Sequence, residues 1–156
     1  MSRPIILFCD WDGVLHRYGA HVKEYFECLP HLEEILRSFP EVQIVVCSDW
    51  RKLHTIEELR EPFSPDMRAR LIGMSPCFSF EKYGEGIRYE EAKAYLRENN
   101  MDLERWVALD DISENWLNTA TKEIDRRLVT CADGFLDEEA ALLTQALMLM
   151  AQGRNV

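Results

Sequence analysis

Ile5-Ile6-Leu7-Phe8-Cys9-Asp10-Trp11-Asp12-Gly13-Val14 is the stretch from which the rest of the chain can be read. Five apolar residues in a row, without polar alternation, read as a short strand buried on both faces. The run then stops at two aspartates separated by one residue. Gly13 follows, a residue that lets the chain turn sharply. A buried strand that ends in carboxylates sets ionisable groups at the rim of an apolar core, where they are costly unless they have work to do.

The same pattern recurs downstream. Val42 to Cys47 reads as a second buried strand and ends in Ser48-Asp49. Trp106 to Leu109 reads as another and ends in Asp110-Asp111. Leu71-Ile72 is a short third strand, and Leu128 to Cys131 a final one. Between them lie amphipathic stretches. Helices are expected over Pro30 to Phe39, Leu53 to Leu59 and Ile87 to Asn99, with a short one over Asp66 to Leu71. Ser113 is expected to cap a short helix through Leu117. A last helix runs from Asp137 to Gln152, with Gly153 as its stop. Strands alternating with helices imply an α/β fold with a parallel central sheet covered on both faces. Ligands of such sheets bind at the carboxyl ends of the strands, where the aspartates and Ser48 would gather.

Composition narrows the field. The chain has 156 residues, the size of one domain with one core, taken here as 1–156. No apolar run approaches the roughly 20 residues that span a bilayer, so a cytoplasmic location without a membrane partner is expected. The formal net charge of −10 opposes long-range attraction to nucleic acid. Cys9, Cys28, Cys47, Cys77 and Cys131 contain no CxxC spacing, so they read as packed, reduced thiols rather than zinc ligands or disulfides.

The strand-end residues fit phosphoryl transfer. An aspartate can attack phosphorus and form an aspartyl-phosphate, a role for Asp10. A second carboxyl group two positions on, Asp12, can protonate the leaving oxygen and then activate water. Carboxylates crowded together resist joint ionisation, and a hard cation relieves this. Mg²⁺ bound by Asp10, Asp12, Asp110 and Asp111 meets that need. Ser48 can hold the phosphoryl group. The remaining cation is Arg88, which shares a helix face with Ala92 and Leu96; Lys82, in a loop, is the alternative.

This ordered set resembles the haloacid dehalogenase (HAD) superfamily of phosphohydrolases. Asp10-Trp11-Asp12-Gly13-Val14 is similar to its first motif, Ile44-Val45-Val46-Cys47-Ser48 to its second, and Val107-Ala108-Leu109-Asp110-Asp111 to its acidic fourth. Arg88 stands where the third motif more usually has lysine. Ser48-Asp49-Trp50-Arg51 and Asp133-Gly134-Phe135 look like the small HAD domain of "Swiss Army Knife" RNA-repair proteins. The resemblance implies a three-layer Rossmann-like fold, nearly capless, since Val14 to Pro40 and Arg51 to Glu85 leave no room for a full lid. It implies a Mg²⁺-dependent phosphatase that acts through Asp10 and Asp12, with Ser48 and Arg88 on phosphate.

Plainer readings stand beside these. Ser48 and Asp110-Asp111 could be cap residues. Asp49 and Arg51 read as a cap and a solvated charge, and Trp11 as packing beside the site. His16, His21, His31 and His54 follow no ligand spacing and read as non-catalytic. The last helix is apolar over much of its circumference, and reads as a core helix or, less favoured, as a homodimer interface. The competing function is a non-catalytic module that binds a phospho-ligand or partner. A signalling receiver would place its phosphorylated aspartate after the third strand, not the first. The phosphorylated substrate stays open in class. Nucleic acid is not expected, although an RNA-end phosphate remains within range.

Overall fold

Each apolar run forms a parallel strand in the computed structural model, which describes residues 3–156. The strands are β1 (Ile5–Cys9), β2 (Val42–Val46), β3 (Leu71–Met74), β4 (Trp106–Asp110) and β5 (Leu128–Thr130). They form one sheet in the order β3-β2-β1-β4-β5. Leu7 lies opposite Ile44 on one side and Val107 on the other. The chain steps outward from β1 to β3, then crosses back to β4. The order therefore reverses between β1 and β4, and their carboxyl ends flank a switch-point crevice.

Side-chain alternation in the central strand builds two cores. Ile5, Leu7 and Cys9 pack with α1 (Leu29–Arg37), α5 (Asp137–Ala151) and residues around α2 (Ile56–Arg60). Ile6 and Phe8 pack on the other face with Ala92, Tyr95 and Leu96 of α4 (Ile87–Glu98), and with Trp106 and Trp116. The sheet is thus the middle of three layers. A short α3 (Phe80–Tyr83) precedes α4. Among the described residues, the segments flanking β2 hold only short helices and β3, and no separate lid. No helix among them is long and apolar enough to cross a membrane.

Most expected elements form within a residue or two of their anticipated ends, but the short helix expected over Asp66 to Leu71 is a 3-10 turn, Arg68–Arg70, and Lys82, expected in a loop, lies on α3. Three further details differ. The helix expected over Leu53 to Leu59 starts three residues later, as α2, behind a 3-10 turn at Asp49–Lys52. A reciprocal pair sets that start. The Thr55 hydroxyl accepts from Glu58 N–H, and the Glu58 carboxylate accepts from Thr55 N–H. That box starts the helix after Thr55 and leaves Leu53 83% exposed. Ser113 makes no cap bond; its turn, Ser113–Trp116, is preceded by Ile112, whose N–H donates to Asp110. The last helix is a core helix on one side only. Leu143, Ala146, Leu147 and Met150 are buried, while Leu142 and Met148 are exposed.

Arg51 is not a solvated charge. Its side chain is 2% exposed and pairs with Glu91, 3% exposed, at 2.9 Å. Its remaining donors reach the carbonyls of Cys47, Ser48, Ser75 and Pro76, just past the ends of β2 and β3. Glu91 also accepts the Phe78 N–H at 2.8 Å. A guanidinium with five donors can tie two strand ends together in this way; lysine could not. Removing one partner leaves the other charge buried and unpaired. Glu91→Ala should therefore cost about 3–5 kcal/mol in chemical denaturation, far more than truncation of the exposed Glu57.

Candidate active site

Asp10 continues the path of β1 into the crevice. Its N–H donates to Leu109 O at 2.9 Å, and its Oδ1 accepts the Trp11 N–H at 2.9 Å. Asp110 closes β4. Its Oδ1 accepts the Ile112 N–H and its Oδ2 the Trp116 indole N–H, both at 2.9 Å. Asp10, Asp110 and Asp111 each offer one carboxylate oxygen within 4.8 Å of the others. Three hard oxygen donors at that spacing suit a divalent cation such as Mg²⁺.

The electrostatics agree with that fit. Burial pushes Asp10 well above the usual carboxylate range, and Asp110 pushes it further, while Arg88 and the Trp11 N–H pull the other way. Burial likewise pushes Asp110 up to about 6, against the Ile112 and Trp116 hydrogen bonds and Arg88. The two acids cannot comfortably ionise together without a cation between them. The neighbouring thiols of Cys9 and Cys47 are also raised, chiefly by burial, and behave as packing groups.

Asp12 is held apart from this cluster. Its Oδ1 contacts His16 Nε2 at 2.8 Å, and its Oδ2 accepts the Trp50 indole N–H at 3.1 Å. Its side chain is 46% exposed, so it faces the open edge. Sequence spacing misses His16. The signal would have been its position four residues after Asp12, but the contact depends on how the loop closes. Trp11 is fully buried against Phe26, Trp50 and Phe63, as the packing reading expects.

Gly13 serves the site in two ways. Its φ is +80°, a conformation that glycine adopts without penalty. A Cβ there would also sit 2.4 Å from Asp111 Oδ2, so the missing side chain is the space the carboxylate occupies. The loop is braced from β5. Gly134 N–H donates to Gly13 O and Phe135 N–H to Val14 O, both at 2.7 Å, and Asp133 accepts the Tyr18 N–H. The late Asp133-Gly134-Phe135 stretch is thus a clamp on the first loop.

Ser48 follows β2 and is buried. Its Oγ accepts the Trp50 N–H at 3.3 Å, so it is a cap residue whose own hydroxyl proton stays free to donate. Arg88 lies in the first turn of α4. That helix starts at Gly86, whose φ of +86° and N–H bond to Glu114 O anchor it on the Ser113–Trp116 turn. The Arg88 side chain is 11% exposed. Its Nη2 donates to Asp49 at 3.2 Å, while Nη1 is buried with no hydrogen-bond partner among the described residues. Burial works against its charge, but Cys47, Asp10, Glu91 and Asp110 outweigh it and raise its pKa. Lys82 is exposed on α3, with its ammonium 5.4 Å from the Tyr83 ring.

Residues 6–140 match the family model described as the HAD domain in Swiss Army Knife RNA repair proteins. The chain belongs to this HAD family. The match takes in the sheet from Ile6 of β1 onward and the strand ends that carry Asp10, Asp49 and Asp110. HAD membership places the chain in a hydrolase superfamily whose domains generally use Mg²⁺. A comparison with curated proteins finds no match.

Two predictions test the crevice. Gly13→Ala should cost about 1–3 kcal/mol of stability through backbone strain and should displace Asp111. The rise in thermal midpoint on adding Mg²⁺ should shrink with it, measured by calorimetry across a Mg²⁺ titration. The second concerns pH in chelator. A carboxyl group raised by folding makes the folded state bind more protons, so its contribution to stability is lost as pH climbs from about 4 to about 6. Asp110→Asn removes that loss. Relative to wild type, the variant should gain on the order of 2–3 kcal/mol over this window, read from urea midpoints.

Proposed function

We propose that this HAD domain is a Mg²⁺-dependent phosphohydrolase, with Asp10 as nucleophile and Asp12 as general acid and base. The observation that carries the reading is the division of labour at the first loop. Asp10 is buried beside Asp110 and clusters with the half-buried Asp111, whereas Asp12, two residues on, is half-exposed and held by other partners. A non-catalytic binding module would have no use for that division.

The chemistry follows from the positions. An Asp10 oxygen attacks phosphorus in line, and the bond to the leaving oxygen breaks. Asp12, on the exposed side, gives that oxygen a proton and becomes a carboxylate. It then takes a proton from water, which attacks the aspartyl-phosphate and releases phosphate and free Asp10. The Ser48 hydroxyl donates to a phosphoryl oxygen. Arg88 suits the same task through Nη1, which makes no hydrogen bond among the described residues and faces the Glu91 carboxylate at 3.7 Å; its burial beside Asp10 favours it over the exposed Lys82. Mg²⁺ held by Asp10, Asp110 and Asp111 supplies positive charge that lets an anionic phosphate approach three acids. Asp12, also expected on the metal, lies outside the group of carboxylate oxygens within 4.8 Å of one another.

The substrate is a phosphorylated compound that reaches an open strand edge. The family's association with RNA repair makes an RNA-end phosphate one class to test, beside nucleotides, sugar phosphates and phosphopeptides. Phosphate release across such a panel, with Mg²⁺ and with EDTA, tests the reading; full turnover in metal-free protein contradicts it. Asp10→Asn should abolish turnover of every substrate. Asp12→Asn should give a burst of phenol from an aryl phosphate and then slow turnover, since a good leaving group needs less proton donation than an alkoxide. Its first step on an alkyl phosphate should fall by about 10²–10⁴-fold. Arg88→Ala should weaken phosphate binding while Lys82→Ala leaves it intact.

A further inference from the structure

We propose that His16 is a positioning residue that aims the Asp12 carboxyl group, as a neutral imidazole with its single proton on Nε2. The inference rests on Asp12 serving as acid and base.

The tautomer follows from the two ring contacts. The Phe26 N–H points at His16 Nδ1 at 3.3 Å, and a backbone N–H can only donate. Nδ1 is therefore the acceptor nitrogen, and the ring proton sits on Nε2. Nε2–H then donates to Asp12 Oδ1 at 2.8 Å. The arrangement is imposed by the fold. Phe26 has φ of +64°, an unfavourable value for a bulky residue, and this backbone presents its N–H to the imidazole. The ring is fully buried, stacked on Tyr25 at 4.7 Å with Phe26 edge-on at 5.5 Å.

The need for such a device lies in Asp12 itself. Its carboxyl group stands on a loop at the open edge, with two rotatable bonds and solvent around it. Proton transfer requires it within hydrogen-bond reach of the leaving oxygen and, later, of a water. The buried His16 ring and the Trp50 indole, just past β2, fix one oxygen each. The carboxyl plane is then set before substrate arrives, and the outward lone pairs remain available.

The test is a double-mutant cycle on the first chemical step, by rapid quench with an alkyl and an aryl phosphate. His16→Leu should slow aspartyl-phosphate formation from the alkyl phosphate by about 10–100-fold, and from the aryl phosphate by less than about threefold. His16→Gln places an amide N–H where Nε2–H was and should recover most of the loss. In an Asp12→Asn background, His16→Leu should cost nothing further, because it acts through the group already removed. Equal losses on both substrates, or a full loss in the Asp12→Asn background, would mean a merely structural role and overturn the proposal. An inactive wild type defeats the phosphatase reading instead. Long-range ¹H–¹⁵N spectra of the wild type at neutral pH read the tautomer without turnover. A proton on Nδ1 of His16 overturns the proposal even if its variants fail to fold.

Discussion

Two acids buried together at the ends of adjacent strands constrain everything around them. Asp10 and Asp110 sit at the carboxyl ends of β1 and β4, on either side of the point where the strand order reverses. Burial alone would drive both to hold their protons. The surroundings resist this with a limited set of groups: the N–H groups of Trp11 and Ile112, the Trp116 indole and the Arg88 guanidinium. That set is incomplete, since both groups still sit above the usual range. A divalent cation, as proposed above, would complete it, with Asp111 as the third oxygen donor.

The supporting structure reads as a response to that strain. Gly13 gives up its side chain so that Asp111 can approach. Arg51, deep in the protein, ties the ends of β2 and β3 and pairs with Glu91, which also lies 3.7 Å from Arg88. A chain of charges therefore runs from the β2–β3 edge to the crevice. Buried ion pairs add little to stability compared with apolar packing, and their use here fits a role in fixing geometry.

Asp12 shows how one short loop gives two aspartates different surroundings. Residues 10 and 12 are identical in chemistry and differ in surroundings. One is enclosed by strand ends, and the other is turned outward by Gly13 and caught by His16 and Trp50. The loop keeps this shape because residues 133–135, beyond β5, hydrogen-bond to it along its far side. A residue pair more than 110 positions apart thereby sets the direction of a carboxyl group near the N-terminus.

The strands, their parallel order and the gathering of Asp10, Asp110 and Asp111 were legible in the sequence; Asp12, expected with them, stands outside that group. Short apolar runs rich in β-branched residues and bounded by turn residues favour buried strands, and a parallel sheet sends all their ends to one edge. Helix starts were less legible. The Thr55–Glu58 box decides where α2 begins, and a local hydrogen-bond pair overrides an apolar period that would run on from Leu53. Arg51 looked like a surface charge because sequence carries no record of which carbonyls lie within reach of a long side chain. His16 looked idle for the same reason. Its partners, the Phe26 N–H and the Asp12 carboxylate, meet it only when the loop folds back and Phe26 adopts a left-handed backbone. Local pattern fixed what each segment becomes; only the folded chain decided which polar groups face one another, because that depends on directions and distances that no periodicity encodes.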